Sequence, residues 1–291
     1  MSQSALQPLR IVGVHGVRNL DRHQPAETVS ISSGQTWARH LATGLGVAES
    51  LFDVDFAYYA PLLHTGPIEQ GPGDEDELDD PLAQQMMASW LEALQAPQPI
   101  SQGALTLPLR YGASWAAEKF SLDGQITKLF IRAFFREVAT YLRDDDNPAR
   151  QAARETVAAR IAAHRPRVVI AHSLGSIVAY ETLHHHPELT VELLITLGSP
   201  LALPHAVFDR LQPRPDGDEL HRAGIRPKNV TRWINIADPG DLVAIPPQLS
   251  RAFKGIVIDH TDTVHAFRFH DATNYLSCAA TAATLAPYLG I

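Results

Sequence analysis

An α/β fold built on a mostly parallel central sheet is what this sequence predicts, and three observations carry the prediction. Short apolar runs rich in β-branched residues recur at Leu9–Val14, Val168–Ala171, Val191–Leu197 and Asn229–Ala237. Longer segments with apolar residues at helical spacing lie between them. The strand-like runs end in turns of small and polar residues, at the edge where an open parallel sheet receives its ligands.

Composition narrows the class. The chain has 291 residues, 45% apolar and 19% charged, which suits a single soluble α/β domain over 1–291 with a sizeable core. Its net charge of −8 argues against nucleic acid or an anionic membrane as the main partner. Met1 to Arg10 has no apolar leader-like core and no stretch approaches spanning length, so a cytoplasmic protein without a transmembrane segment is expected. The single cysteine, Cys278, excludes an internal disulfide and a cysteine zinc cluster. No phosphate loop, dinucleotide fingerprint or internal repeat is present, so no cofactor is expected.

Taken in order, the first strand runs into His15-Gly16-Val17-Arg18-Asn19. Asp21 to Ser32 is polar and irregular and reads as a loop, after which Ser33 caps a helix carrying Trp37, Leu41 and Leu45. Phe52–Tyr59 reads as a strand that Pro61 ends. His64 to Pro81, with its Asp74-Glu75-Asp76-Glu77 run, reads as a solvated loop without the spaced ligands of an EF-hand. Leu82 to Leu142 is helical in pattern. Ile126, Leu129, Phe130, Ala133, Phe134, Val138, Tyr141 and Leu142 form an apolar stripe. Asp144 to Asn147 breaks this segment, and Pro148 opens a helix reaching about His164.

The strand ending at Ala171 meets a tight turn, His172-Ser173-Leu174-Gly175, and then a helix to His186. A serine there is lifted above the sheet, and the small residues two positions away, Ala171 and Gly175, let helix and strand approach closely. The N–H of Leu174, at the positive end of the helix, faces the space in front of the hydroxyl. Consecutive His184, His185 and His186 do not share a helix face, so a helix end suits them better than a metal site, and no metal is expected. Ser199 precedes Pro200 and lacks such an elbow. Beyond the strand at 229–237 lies Asp238-Pro239-Gly240-Asp241. Gly255–Asp259 reads as the last clear strand, Val264–Phe269 alternates like an edge strand, and Asp271 caps a helix running to Tyr288.

The A-H-S-L-G elbow, the L-G-S-P-L turn at 197–201 and the W-x-N-x-x-D-P-x-D-x-V-A stretch from Trp233 to Ala244 together resemble the α/β-hydrolase superfamily, in its lipase and esterase form. H-D-A-x-x-Y-L from His270 resembles the histidine region of bacterial members. The resemblance implies a catalytic triad in the order Ser173, Asp241, His270, with Asp238 the rival acid and His260 the rival base; His265, on the alternating run, points sideways. It implies an oxyanion hole from the N–H groups of Val17 and Leu174, supported by His15 and Gly16, with His172 beside the nucleophile. Asp238 would then brace the acid's turn.

Residues 61–147 would be a helical insert or cap before the nucleophile strand, or helices that simply flank the sheet. The implied activity is hydrolysis of a carboxylic ester through an acyl-enzyme, on a small-molecule or lipid-like acyl substrate. Thioester or amide cleavage on the same triad, and a catalytically silent binding or scaffold role, are the alternatives.

Overall fold

Each of the four long apolar runs is too short for a helix of useful length and too apolar for an exposed strand, and each finds the same solution. They lie side by side and in one direction, with helices closing the crossovers. The computed structural model describes residues 7–64, 78–96, 114–119, 124–218, 221–256, 258–264 and 270–291. Strands β1 (Leu9–Val14), β2 (Phe52–Ala57), β3 (Val168–His172), β4 (Val191–Leu197), β6 (Val230–Ala237) and β8 (Ile258–Thr261) form a six-stranded sheet in the order β2-β1-β3-β4-β6-β8. Every described pairing in it is parallel. β5 (Gly224–Ile225) and β7 (Phe253–Lys254) make a small parallel pair of their own. This α/β architecture is consistent with an α/β-hydrolase-like fold.

The two-residue period of the strands splits the core. Ile11, Val168, Ile170, Leu193, Ile195 and Ile234 point to one face, where α1 (Ala26–Leu45), α7 (Ala272–Ser277) and α8 (Ala279–Leu289) cover them. Val12, Val14, Val169, Ala171, Leu194 and Trp233 point to the other. There α4 (Gly124–Leu142), α5 (Pro148–His164) and α6 (Leu174–His185) pack, with α2 (Pro81–Ala93) against α4. A further helical stretch, α3, spans residues 114–119. Removing one of these side chains, as in Ile170→Ala, would cost about 2–5 kcal/mol through lost transfer energy and the cavity left behind.

Several local expectations change. The first helix begins at Ala26, not Ser33, so part of the expected polar loop is its first two turns. Pro25 fixes the backbone at the entry, Glu27 sits in the first turn, and Ser30 satisfies its buried hydroxyl by donating to the Phe56 carbonyl at 2.5 Å. The last strand is β8, starting at Ile258, and His260 lies within it opposite Ile236, not on a loop. The last helix is two helices, because Cys278 is extended and its sulfur caps α8 at Thr281 N–H. In the stripe of α4, Phe134, Val138, Tyr141 and Leu142 are buried, but Ile126 and Leu129 are exposed. Most of the acidic run lies outside the described residues, as do residues 265–269 and thus His265.

Candidate active site

The site grows from the strand-to-helix turn after β3. Ser173 holds φ 56° and ψ −129°, a backbone state that non-glycine residues avoid and that costs about 1–3 kcal/mol. The turn is over-determined by its neighbours. Ser173 N–H donates to Leu197 O on β4 at 3.0 Å, and Ser173 O accepts both the N–H and the hydroxyl of Ser176. Ser176 in turn hydrogen-bonds Ser199, so Ser199 is a brace of the turn. Two glycines make room for it. A Cβ on Gly175 would lie 2.3 Å from His15 O, and one on Gly16 would lie 2.5 Å from Ser173 Cβ. The Ser173 hydroxyl is buried and makes no hydrogen bond among the described residues.

The loop after β1 is set by His15. Tyr59 N–H donates to His15 Nε2 at 3.1 Å, which makes Nε2 the acceptor and leaves the proton on Nδ1. Nδ1 then donates to Gly16 O at 2.7 Å, and Asn19 Nδ2 donates to the same oxygen at 3.1 Å. Burial pulls the His15 pKa down to about 4, only partly opposed by the bond to Gly16 O, so the ring is neutral near pH 7. It stacks on Tyr59 with centroids 4.0 Å apart. With the Gly16 carbonyl held this way, the trans peptide directs Val17 N–H to the opposite side. Neither Val17 N–H nor Leu174 N–H is taken up by another described group.

His270, at φ 58°, and Asp241 form the buried pair beside this turn. His270 Nδ1 lies 2.9 Å from Asp241 Oδ1 and 2.8 Å from Oδ2. Asp241 also accepts Val243 N–H on Oδ1 at 2.8 Å and the Tyr275 hydroxyl on Oδ2 at 2.7 Å. Burial pushes this carboxyl up. The facing imidazole and these hydrogen bonds outweigh burial and hold it well below the usual carboxylate range. Asp238 does something else. Its Oδ1 accepts Gly240 N–H, its Oδ2 accepts Val264 N–H, and its carbonyl accepts Asp241 N–H, so it ties the turn that presents Asp241.

The three parts converge at the carboxyl ends of the strands. His172 and His270 stand with ring centroids 4.6 Å apart, and a Cβ on Gly198 would meet both Asp241 Oδ2 and His270 Cε1. Phe130 and Phe134 of α4 lie T-shaped to the His270 ring, with centroids 5.3 Å and 6.5 Å away. The same helix carries Glu137, which accepts Arg18 N–H at 2.9 Å, one residue beyond Val17. Thus Ser173, His172, Gly16, Asp241 and His270 are brought together, and His260 is left in β8.

Tyr275, Tyr59 and Glu137 are contributors that residue patterns did not single out for these roles. Tyr275 stands inside the H-D-A-x-x-Y-L stretch, which gives it a local signal; the other two have none. His184 and His186 bond Ile225 O and the carboxylates of Glu155 and Glu188. Among the described residues no group of three His, Cys, Asp or Glu side chains is placed to hold a metal, and no helix is long and apolar enough to cross a membrane.

Comparison of the chain with protein-family models, with curated proteins and with solved structures finds no significant match.

Proposed function

We propose that this chain is a serine hydrolase of carboxylic esters, acting through Ser173, His270 and Asp241. The observation that carries the reading is the strained, buried Ser173 at the head of α6, preceded by His172, whose ring stands 4.6 Å from that of His270, the imidazole whose Nδ1 is held by a buried carboxylate. In this reading His270 Nε2 takes the hydroxyl proton as Ser173 Oγ attacks the acyl carbonyl carbon. The N–H groups of Val17 and Leu174 take the resulting oxyanion, each worth about 3 kcal/mol in the barrier. His270 then passes the proton to the departing alkoxide, leaving an acyl-serine. Water adds to the acyl carbon with the same imidazole as base, the acyl–Oγ bond breaks as His270 returns that proton to Ser173 Oγ, and the acid leaves. Asp241 holds the imidazole in the tautomer that accepts at Nε2.

The rings of Phe130 and Phe134 over His270 support an apolar, uncharged acyl substrate that reaches Ser173 beneath α4. Thioesters and amides share this chemistry and belong in the same substrate screen. The test is labelling with a fluorophosphonate probe followed by mapping of the modified residue. Label on Ser173, absent in Ser173→Ala and much slower in His270→Ala, is the expected result. A folded, monodisperse protein that takes no label on Ser173 would overturn the reading and favour a silent scaffold.

A further inference from the structure

Asp241 accepts more than the imidazole it faces. The hydroxyl of Tyr275, on α7, donates to Asp241 Oδ2 at 2.7 Å, and the same Tyr275 hydroxyl oxygen accepts Asp238 N–H at 3.0 Å. A single phenol thus bridges both ends of the acid turn. The polarity of this chain is fixed, because a backbone N–H can only donate and the hydroxyl has one proton to give. Tyr275 is fully buried, its ring lies against Gly198 and within 6.0 Å of the His172 ring, and burial followed by the Asp241 charge pushes its pKa far up. The phenol therefore keeps its proton and stays a donor.

From this juxtaposition we infer that Tyr275 is a positioning residue, whose hydroxyl fixes the rotation and lowers the basicity of the carboxylate that orients His270. The inference rests on the proposed triad but is tested apart from it. With Val243 N–H on Oδ1 and Tyr275 on Oδ2, each oxygen carries one outside donor, and the carboxylate plane presents both oxygens to His270 Nδ1 at nearly equal distance. Removing one donor does two things. The carboxylate can turn about its Cβ–Cγ bond, and the negative charge left on Oδ2 becomes a stronger acceptor for Nδ1–H. The groups facing this pair are His172 on β3, Asp238 in the turn and Tyr275 on α7; Phe130 and Phe134 of α4 are uncharged.

Tyr275→Phe keeps the ring and deletes only the hydroxyl. The primary readout is the proton resonance of His270 Nδ1–H, identified by its loss in His270→Gln, and it needs no turnover. It moves downfield in Tyr275→Phe if Tyr275 shares the carboxylate, and stays where it is if the contact is only packing. Site-specific 3,5-difluorotyrosine at 275, nearly isosteric and a stronger donor, moves the same resonance upfield, an opposite sign that loss of packing does not produce. That second protein serves if Tyr275→Phe does not fold. In active protein, kcat falls about tenfold in Tyr275→Phe with KM unchanged, the size of one hydrogen bond to a charged group. An unmoved resonance in both proteins overturns the role of Tyr275 even if Ser173 labels normally. A moved resonance with an unlabelled Ser173 upholds it and overturns only the hydrolase reading.

Discussion

Gly16 and Ser173 approach more closely than any pair of side chains could, since a Cβ on Gly16 would stand 2.5 Å from Ser173 Cβ and 3.0 Å from its hydroxyl. The first β-strand's loop and the serine turn are therefore one unit. A methyl group at 16 must push them apart, and both directly follow buried strands that resist displacement. Gly16→Ala is expected to lower stability by about 1–3 kcal/mol, as overpacking does. It should slow fluorophosphonate labelling of Ser173 by at least about 100-fold, the size of one lost oxyanion donor. Urea unfolding separates the two effects; a folded Gly16→Ala protein that labels at the wild-type rate would remove Val17 from the oxyanion hole.

Asp241 and Asp238 differ in what they hold, which separates their variants. Asp241 contacts His270; Asp238 contacts the backbone of its own turn and Val264 N–H. Asp241→Asn should cut kcat by about 10⁴-fold, because an amide that donates to Nδ1 selects the wrong tautomer. Asp238→Asn should leave kcat within about tenfold and cost about 1–2 kcal/mol of stability. Equal losses of activity in the two variants would mean the acid is not assigned to Asp241.

The sheet and the serine turn were legible because both are written locally. β3 is buried along its whole length, β1, β4 and β6 are buried on both faces beyond their first two or three residues, and the serine turn needs small residues at fixed offsets. The start of α1 was hidden because its second turn, Ile31–Ser33, is a partly exposed stretch with loop-like composition. Pro25 and Glu27 were the available cues. β8 is four residues long, and its bounds follow from pairing with β6, not from any pattern of its own. Tyr275 meets Asp241 across 34 positions, and Glu137 meets Arg18 across 119; no local periodicity encodes such contacts. Ile126 and Leu129 share the apolar spacing of α4 yet face outward, since spacing gives a helix face but not what covers it.

His15 gives a pH signature to stability. Its folded pKa of about 4 lies below the ordinary histidine value of 6.5, so the unfolded chain binds more protons between those limits. Its contribution favours folding fully above pH 6.5 and is lost as the pH falls toward 4, by about 3 kcal/mol in all. Asp241 is depressed too, but its contribution is present above the ordinary carboxylate pKa and fades only at more acid pH, so the two windows separate. Urea midpoints measured from pH 7 to pH 4 should fall more steeply in wild type than in His15→Gln. Parallel curves would show that His15 is not held neutral by the fold.

Arg150 and Glu181 form the most deeply buried ion pair among the described residues, both side chains with no exposed surface. Glu181 lies on the serine helix α6 and Arg150 on α5. The carboxylate also accepts Arg150 Nε at 2.9 Å, the Tyr141 hydroxyl of α4 at 2.8 Å and Gln212 N–H at 3.0 Å. Arg150 further donates to Arg210 O at 2.7 Å. The network therefore clamps the covering helix α4 and the α5 layer to the helix that carries Ser173. Arg150→Met leaves the buried carboxylate with two neutral donors and, as its nearest cation, Arg154 Nη1 at 3.8 Å, and should cost about 3–5 kcal/mol. The double change Arg150→Met with Glu181→Leu removes both charges and should recover most of that loss, because neither ion is then stranded away from water. A double variant no more stable than Arg150→Met would show that the pair acts through shape and its backbone contacts, and not through charge.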